Sequence, residues 1–502
     1  MLLTGVEIQF DLPVLAFGSD TSVATLFDRL AALVGIITLN DPVDFFMPSI
    51  YQARRHLRVG LVAQGLLTAA TPGGVYIDHQ GAIDDDPTDG TALVNQRLPS
   101  NATQDAVFHL VGFNNHLGFD ILAELDAGQN LILSPYSLSA SVLMLYAGAA
   151  DSSLKALVEG TGYLSDQPIV HEAFNSLDLS LSDANAGLDG PFTLFKSRSA
   201  GWAQLGYGVY IDFYNCLSGD YGAPLVPLDF RYDKLSAQAS IDKWIAKETD
   251  PAFSISQLSP EERTRIVLTS TNSFVGSWSV PFSPAENLIL PFALSGGGHV
   301  SVEMMHAKGN FNYAKLDSAE VVEIPLDDDR YGLMLLLPDA DHVQMFPDAL
   351  TASGFWSASE NLTRTPLEIY FPKFKVTFKK TIAAELSKIG IDAIWDEASA
   401  DFSHVHPIDS LYVKNIAHQS FISVDETHVK AASDSSAALN GMEDMPGFGD
   451  NHSETGYIAI STGITPILTP AVEIGFNRPF VVCIYHRNKK AVLYSGWIAD
   501  PS

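Results

Sequence analysis

Leu411-Tyr-Val-Lys-Asn-Ile-Ala-His-Gln-Ser-Phe-Ile-Ser-Val-Asp-Glu426 is followed by Thr427-His-Val-Lys-Ala-Ala-Ser-Asp-Ser-Ser-Ala-Ala438, and an apolar pattern returns only at Phe476-Asn-Arg-Pro-Phe-Val-Val-Cys-Ile-Tyr485. The first segment reads as a strand, since Leu411, Val413, Ile416, Phe421, Ile422 and Val424 are bulky or β-branched. The last reads as another. Between them lie about fifty residues of a different kind, and a loop that long inside a compact domain is usually functional or disordered. Its start, Ala431–Ala438, is small and polar; Gly441–Ser453 is rich in Gly, Pro, Asp and Asn; Ser461–Pro470 alternates Thr, Ile and Pro. The loop reads as the working part and the remaining chain as the frame that holds it.

Composition bounds the frame. The 502 residues are 46% hydrophobic and 18% charged, a globular balance with room for one large domain and an appendage. No stretch has the ~18 consecutive apolar residues of a membrane span. The formal net charge of -30 repels nucleic acid and anionic lipid, so neither is expected as a partner. With only Cys216 and Cys483, a disulfide framework is excluded, and Cys483 reads as a buried thiol in an apolar strand.

Residues 1–104 read as an N-terminal extension. Leu26, Leu30, Leu33, Val34 and Ile37 give Ser22–Leu39 the spacing of an amphipathic helix, and Thr71–Gln104 has the Gly, Pro, Asp and Asn content of a linker. The main domain, 105–502, opens with a helical period over Phe108–Leu125. Asn130-Leu-Ile-Leu-Ser-Pro-Tyr-Ser137 then reads as a short buried strand and a helix entry with Pro in the first turn. The next helix, Leu138–Gly148, is apolar nearly all round and therefore central. A further helix is expected around Ile241–Lys247. Strands are expected at Ile266–Leu268, Val302–Met305, Val321–Ile324, Leu333–Pro338 and Leu367–Phe374, then a helix over Lys379–Ile389 ending at Gly390. Gly296–Gly298 reads as a hairpin connection, and Phe480–Tyr485 and Ala491–Trp497 as a hairpin turning at His486–Lys490. Helices and strands mix without βαβ alternation, so the class is α+β.

From Phe108 to Pro501 these segments, in this order, resemble the serpin family. The matching motifs are Asn130–Ser137 with Gly148-Ala149; Phe274, Gly276, Trp278 and Pro281-Phe282; Phe371-Pro-Lys-Phe374; Leu386 with Gly390-Ile391; Ala400-Asp-Phe-Ser403; His418 with Val424-Asp-Glu426; Phe476-Asn-Arg-Pro-Phe480; and Gly496-Trp-Ile-Ala-Asp-Pro501. The resemblance implies a metastable serpin fold with three β-sheets, about nine helices and an exposed reactive-centre loop, here about 427–470. It implies a protease inhibitor: the target protease cleaves the loop, is held as an acyl-enzyme, and is dragged as the loop inserts into the large sheet. Such a protein needs no catalytic residues, cofactor or metal of its own, and a monomer is expected. The family also points to the extracellular side, although Leu2-Leu3 followed by Glu7 and Asp11 lacks the basic start and apolar core of a signal peptide.

The hinge after Glu426 departs from the family pattern. His428 stands where the family has Gly, and Val429 where it has Thr or Ser; Ala431, Ala432 and Ser433 fit the small-residue run. Losing the Gly removes backbone freedom and could slow insertion. Strand alternation puts Val429, Ala431, Ser433 and Ser435 inward and Lys430, Ala432 and Asp434 outward, with both charges on the exposed parity. Compared with the family, the loop is about 26 residues longer, and extra length slackens the tether between its ends. Counting from the hinge puts the scissile residue at Met442; counting back from Phe476 puts it near Leu468. No Lys or Arg occurs from Ala431 to Gly475, so the expected target is a serine protease that is not trypsin-like. Elastase- or chymotrypsin-like enzymes could use Met442, Tyr457, Ile464 or Leu468.

Two readings stand side by side: an inhibitor acting by loop insertion, and a non-inhibitory relative that serves in binding, storage or interaction. An enzyme is the weaker third. Gly447-Phe-Gly449 lacks the strand-turn-helix setting of a phosphate loop. His404 and His406 lack further ligands for zinc. Heparin is not expected as a partner, because no basic cluster follows Gly148 in the helical region and the net charge opposes it.

Overall fold

In the computed structural model, which describes residues 74–76, 97–183, 193–249, 260–345, 350–406, 410–440 and 472–502, the segment Asn130–Gly148 sets the frame. Leu131–Leu133 forms strand β2, and Ser134 caps the helix that follows: its Oγ accepts the Ser137 N–H at 3.1 Å, with Pro135 in the first turn. That helix, Pro135–Gly148, is buried along nearly its whole length, as a helix apolar on every side must be. Leu138, Val142, Leu143, Met144 and Leu145 have no more than 1% of their surface exposed. Each contributes about 1.5–3 kcal/mol of apolar burial.

Numbered along the chain, the helices are α1 (Gln104–Ala123), α2 (Pro135–Gly148), α3 (Asp151–Thr161), α4 (Gln167–Asp183), α5 (Ile211–Tyr221), α6 (Lys234–Glu248), α7 (Ala352–Glu360) and α8 (Ala383–Lys388). These are the eight helices among the described residues. The chain divides into two compact units, Met1–Thr71 and Pro72–Ser502. The helix expected over Ser22–Leu39 lies outside the described residues.

Three sheets are present among the described residues. The first has six strands in the order β12 (Phe374–Thr381), β13 (Tyr412–Val424), β14 (His428–Asn440), β6 (Thr264–Ser277), β3 (Leu194–Gln204) and β5 (Leu225–Leu228). Every neighbouring pair is antiparallel except β3 and β5. The second runs β15 (Val472–Gly475), β11 (Thr363–Pro372), β8 (His299–Lys315), β9 (Ala319–Pro325), β10 (Tyr331–Pro338), β16 (Phe480–His486), β17 (Ala491–Ile498) and β2, with β7 (Leu288–Ala293) paired to β8. The third is the pair β1 (Gly74–Tyr76) and β4 (Gly208–Tyr210). Gly297 and Gly298, both at positive φ, turn β7 into β8 as expected.

Two expectations change. The Lys379–Ile389 helix starts only at Ala383, because Lys379–Thr381 pair with Ala417–Gln419 at the edge of the six-stranded sheet. Gly390, at φ 99°, still follows its end. The single strand expected over Leu367–Phe374 breaks at Lys373, which passes the chain from one sheet to the other. The larger difference concerns the loop. Residues 428–440, expected in an exposed segment, form β14 in the middle of the six-stranded sheet.

Candidate functional site

The hinge is built on Asp425 and Glu426. Asp425 Oδ1 accepts the backbone N–H groups of Thr427 (2.8 Å) and His428 (3.0 Å) and the Thr427 hydroxyl (2.7 Å), and pairs with His428 Nδ1 at 2.9 Å. Burial pushes the Asp425 pKa up, but the hydrogen bonds from His428 and Thr427 outweigh it and hold the carboxyl well below the usual range. The next residue, Glu426, accepts from Asn287 Nδ2 at 2.7 Å and pairs with Lys373 Nζ at 3.1 Å. Its burial likewise opposes ionisation and is overcome by these partners and a backbone hydrogen bond. Trp278 Nε1 donates to the Asp425 carbonyl (2.8 Å), and Phe282 N–H to that of Glu426 (2.9 Å). Trp278 and Pro281-Phe282, singled out in the sequence, therefore grip the backbone of the turn.

His428 tolerates the place that the family gives to Gly. Among the described residues other than glycine, only Asp151 and Lys490 have positive φ, so the backbone at His428 uses no conformation reserved for glycine here. Its ring is held by Asp425 and Thr427.

From His428 onward β14 pairs on both edges. It runs against β13 from Val424↔Val429 to Tyr412↔Asn440, and against β6 from Ser277↔His428 to Thr264↔Asn440. Val429, Ala431, Ser433, Ser435, Ala437 and Leu439 are each at most 2% exposed. Their parity faces α2. Ser433 Oγ donates to Asn272 Oδ1 (2.7 Å), Asn272 Nδ2 to Ser134 Oγ (2.9 Å), and Ser134 Oγ to the Leu493 carbonyl (2.8 Å). Tyr494 OH also donates to Asn272 Oδ1. Ser141 Oγ on α2 donates to the Ser435 carbonyl at 2.6 Å. The small serines thus fit the depth of the sheet; Ser433 satisfies the Asn272 side-chain oxygen, whereas the Ser435 hydroxyl is buried without a hydrogen-bond partner.

On the other parity, Ala432 packs on Phe421, and Ala438 joins Ala417, Val267, Trp202, Ile241 and Ile245 beneath α6. Asp434 corrects an expectation. It has the outward parity, but it is 2% exposed, because α6 covers that face. Burial first, opposed by the Ser436 hydroxyl and assisted by the negative charge of Asp242 on α6, pushes its pKa up to about 7. Alternation tells which face a side chain takes, not whether another element covers that face.

Met442 and Leu468 lie outside the described residues. So does Gly447-Phe-Gly449. Where the chain resumes, β15 pairs in parallel with β11, Val472↔Leu367 to Gly475↔Tyr370, and Phe476 N–H donates to the Tyr370 carbonyl at 2.9 Å. His406 stacks on Tyr207 (5.2 Å between centroids), while His404 is exposed. His418 and Ser420 sit 2.9 Å apart, but both are fully buried, and burial pushes the His418 pKa down to about 3. A Ser–His contact sealed in this way offers a substrate no approach.

Asn272 was missed in the sequence. Its signal was there: Thr269-Ser-Thr-Asn-Ser273 is a polar run inside a strand that starts with Ile266-Val-Leu268, and a buried run of that kind needs partners.

The family profile described as Serpin (serine protease inhibitor) matches residues 113–501. Iripin-8 of Ixodes ricinus is 25% identical over 413 residues, covering 81% of this chain and 97% of that protein. The leukocyte elastase inhibitor of Homo sapiens is 23% identical over 397 residues, covering 76% and 96%. Among solved structures, cleaved Serpin 42Da superposes with a TM-score of 0.66 at 21% identity, covering 80% of this chain and 100% of that one. With the six-stranded sheet, the gripped hinge and the family profile in agreement, the chain belongs to the serpin family of serine protease inhibitors.

Proposed function

We propose that this serpin inhibits serine proteases of apolar primary specificity by inserting its cleaved loop. One observation carries the reading: β14 is paired on both edges, and its inward side chains fill the sheet without an unmatched charge. The hinge departures at His428 and Val429 therefore do not bar insertion. The protease's serine attacks a loop carbonyl; the N-terminal part of the loop becomes an ester on that serine, and the C-terminal part leaves with the new amine. Insertion of 428–440 then carries the ester away before water reaches it. The absence of Lys and Arg from 431 to 475 directs the proposal to elastase- and chymotrypsin-like enzymes. The name of the human relative points the same way. The chain itself acts as bait and not as an enzyme, and a monomer suffices. Mixing with elastase, chymotrypsin and trypsin should give an SDS-stable band with one of the first two. Cleavage of the loop by elastase and chymotrypsin without such a band overturns the proposal.

A second reading, a non-inhibitory binding or storage protein, is favoured by a different observation: His428 and Val429 stand at the hinge where the family has Gly and Thr or Ser.

A further inference from the structure

The face of the six-stranded sheet that α6 covers collects side-chain oxygens with too few donors. Asp434, 2% exposed, is the only carboxylate on β14. Among the described residues no Lys or Arg pairs with it, and its side-chain donor is the Ser436 hydroxyl at 2.8 Å. On α6, Asp242 places a second negative charge beside it, and Gln238, one turn away, donates its amide nitrogen to Asp242 Oδ1 at 2.7 Å. That bond fixes the amide and leaves the Gln238 oxygen buried without a hydrogen-bond partner. Gln419 stands directly opposite Asp434 on β13 and shares its face. It is 4% exposed, and its side-chain oxygen also lacks a partner. Thr271, opposite on β6, donates its hydroxyl to the Arg198 carbonyl. The cations of the same transverse row, Lys379 on β12 and Arg198 on β3, are exposed and stand two strands away, roughly 10 Å in Cα position at about 4.8 Å per strand.

Two carboxylates and two amide oxygens gathered in this way lack hydrogen-bond donors, but they are the ligand types of a hard cation. Charge and coordination choose among cations. Two carboxylates balance a divalent ion and overcompensate a monovalent one. Mg2+ keeps its waters and demands a near-octahedral shell, whereas Ca2+ accepts amide and hydroxyl oxygens in an irregular one. Thiolate and imidazole, which softer metals prefer, are not among these groups. We propose that a divalent cation of the calcium class binds between β14 and α6, held by Asp434 and Asp242 and by the side-chain oxygens of Gln238 and Gln419. Asp434 comes from the loop and the other three from the body. The site is complete only while 428–440 lies in the sheet, so the cation binds that form and holds it. A proton competes for the same carboxylate, because burial, assisted by Asp242, pushes the Asp434 pKa up to about 7. Binding should therefore be about 10-fold weaker at pH 6 than at pH 8. The site depends on the placement of β14 and not on which protease is trapped.

The test uses the full-length protein, cut in the loop where needed so that peptides covering 429–439 are protected from hydrogen exchange. Terbium(III), a luminescent substitute for calcium, is titrated in at pH 7.5 with excitation of tryptophan. Trp244 lies two residues from Asp242 on α6, and Trp202 meets it edge-on at 5.8 Å. Sensitised emission should saturate, and CaCl2 should displace it with a Kd of about 0.1–1 mM, the range of sites with few charged ligands. A chain of net charge -30 will also take up ions on its surface, so variants decide the matter. Asp242→Asn should weaken the sensitised binding more than about 10-fold and Gln238→Met by a smaller factor, while Asp341→Asn, at an exposed position, should leave it unchanged. Equal emission from wild type, Asp242→Asn and Gln238→Met would mean adventitious surface binding only and overturn the proposal, as would a wild type without sensitised emission. Gln238→Met keeps every charge and puts a good helix former on α6, so the test survives a failure of Asp242→Asn to fold. Absence of an SDS-stable protease complex would count against the inhibitory function and leave the cation site standing.

Discussion

Replacing Asp434 with Asn should remove a pH dependence from loop insertion. In the inserted strand the carboxyl lies under α6, facing Asp242, which accepts a hydrogen bond from Gln238 on that helix, with Gln419 across the ladder on β13 and Thr271 on β6. Its hydrogen-bond donor is the Ser436 hydroxyl at 2.8 Å, and the charge beside it, Asp242, is of the same sign. A pKa raised to about 7, against an ordinary value of ~3.9 in an exposed loop, makes the inserted state most favourable when the group is protonated. That stability is complete below pH ~4, falls as pH rises toward 7 and levels off above it. The raised pKa gives a penalty of about 4 kcal/mol at pH 8, reduced to between about 1 and 2 kcal/mol at pH 5. The side-chain oxygen of Gln419, buried without a hydrogen-bond partner, offers a protonated Asp434 an acceptor. The assay is urea unfolding of the inserted form at pH 5, 6, 7 and 8 for both proteins, taking the difference at each pH so that other titrations cancel. Asn should gain about 3 kcal/mol on the wild type between pH 5 and pH 8. The window stops at pH 5 because Asp425, whose folded pKa is depressed, withdraws stability at lower pH. A difference that stays flat from pH 5 to pH 8 would refute the placement of Asp434 under α6.

Other perturbations test the frame and the spring separately. Arg97, within the stretch read as linker, donates to Asn175 Oδ1 (2.9 Å) and to the Asp220 carbonyl (3.0 Å) and pairs with the buried Asp178. Arg97→Ala should cost about 3 kcal/mol by leaving that carboxylate without its cation, read as a lower urea midpoint. Ala431→Arg puts a charge between Ile422 and Phe274 on the inward face, so the loop should still be cut but no SDS-stable complex should form.

How far the sequence revealed the molecule depends on what sort of information each residue carries. Leu138–Gly148 was legible because a helix apolar on all sides has one place to go, the centre. The Gly296–Gly298 turn was legible because positive φ has a residue signature. The Lys379–Ile389 error arose at an edge, where Lys379 and Thr381 face outward and only register with Ala417–Gln419 marks them as strand. Lys373, Asn287 and Asn272 act through partners distant in sequence, and no local period encodes such contacts. The inward set of the loop was legible from alternation alone. That β14 lies in the sheet was not, because both the exposed and the inserted loop satisfy the same pattern.

The length of chain left between Asn440 and a cut sets how tightly an inserting β14 should hold a trapped protease. A cut at Met442 leaves about two residues beyond Asn440, a tether of at most about 7 Å, so insertion of β14 would pull the bound enzyme against the far end of the sheet. A cut at Leu468 leaves about 28 residues, up to about 95 Å at full stretch. A protease of ordinary size is about 45 Å across by the scaling of compact domains, so such a tether holds it well clear of the serpin surface. Its active site stays undistorted, and the ester is hydrolysed. Trapped complexes should therefore carry cuts within a few residues of Asn440, while cuts near Leu468 should appear only in released, fully turned-over protein. Sequencing the new N-terminus of the C-terminal fragment, separately from the covalent band and from the free cleaved band, distinguishes the two. A stable complex whose fragment begins near Thr469 would show that distortion does not need a taut tether, and the geometric account of the spring would fail with it.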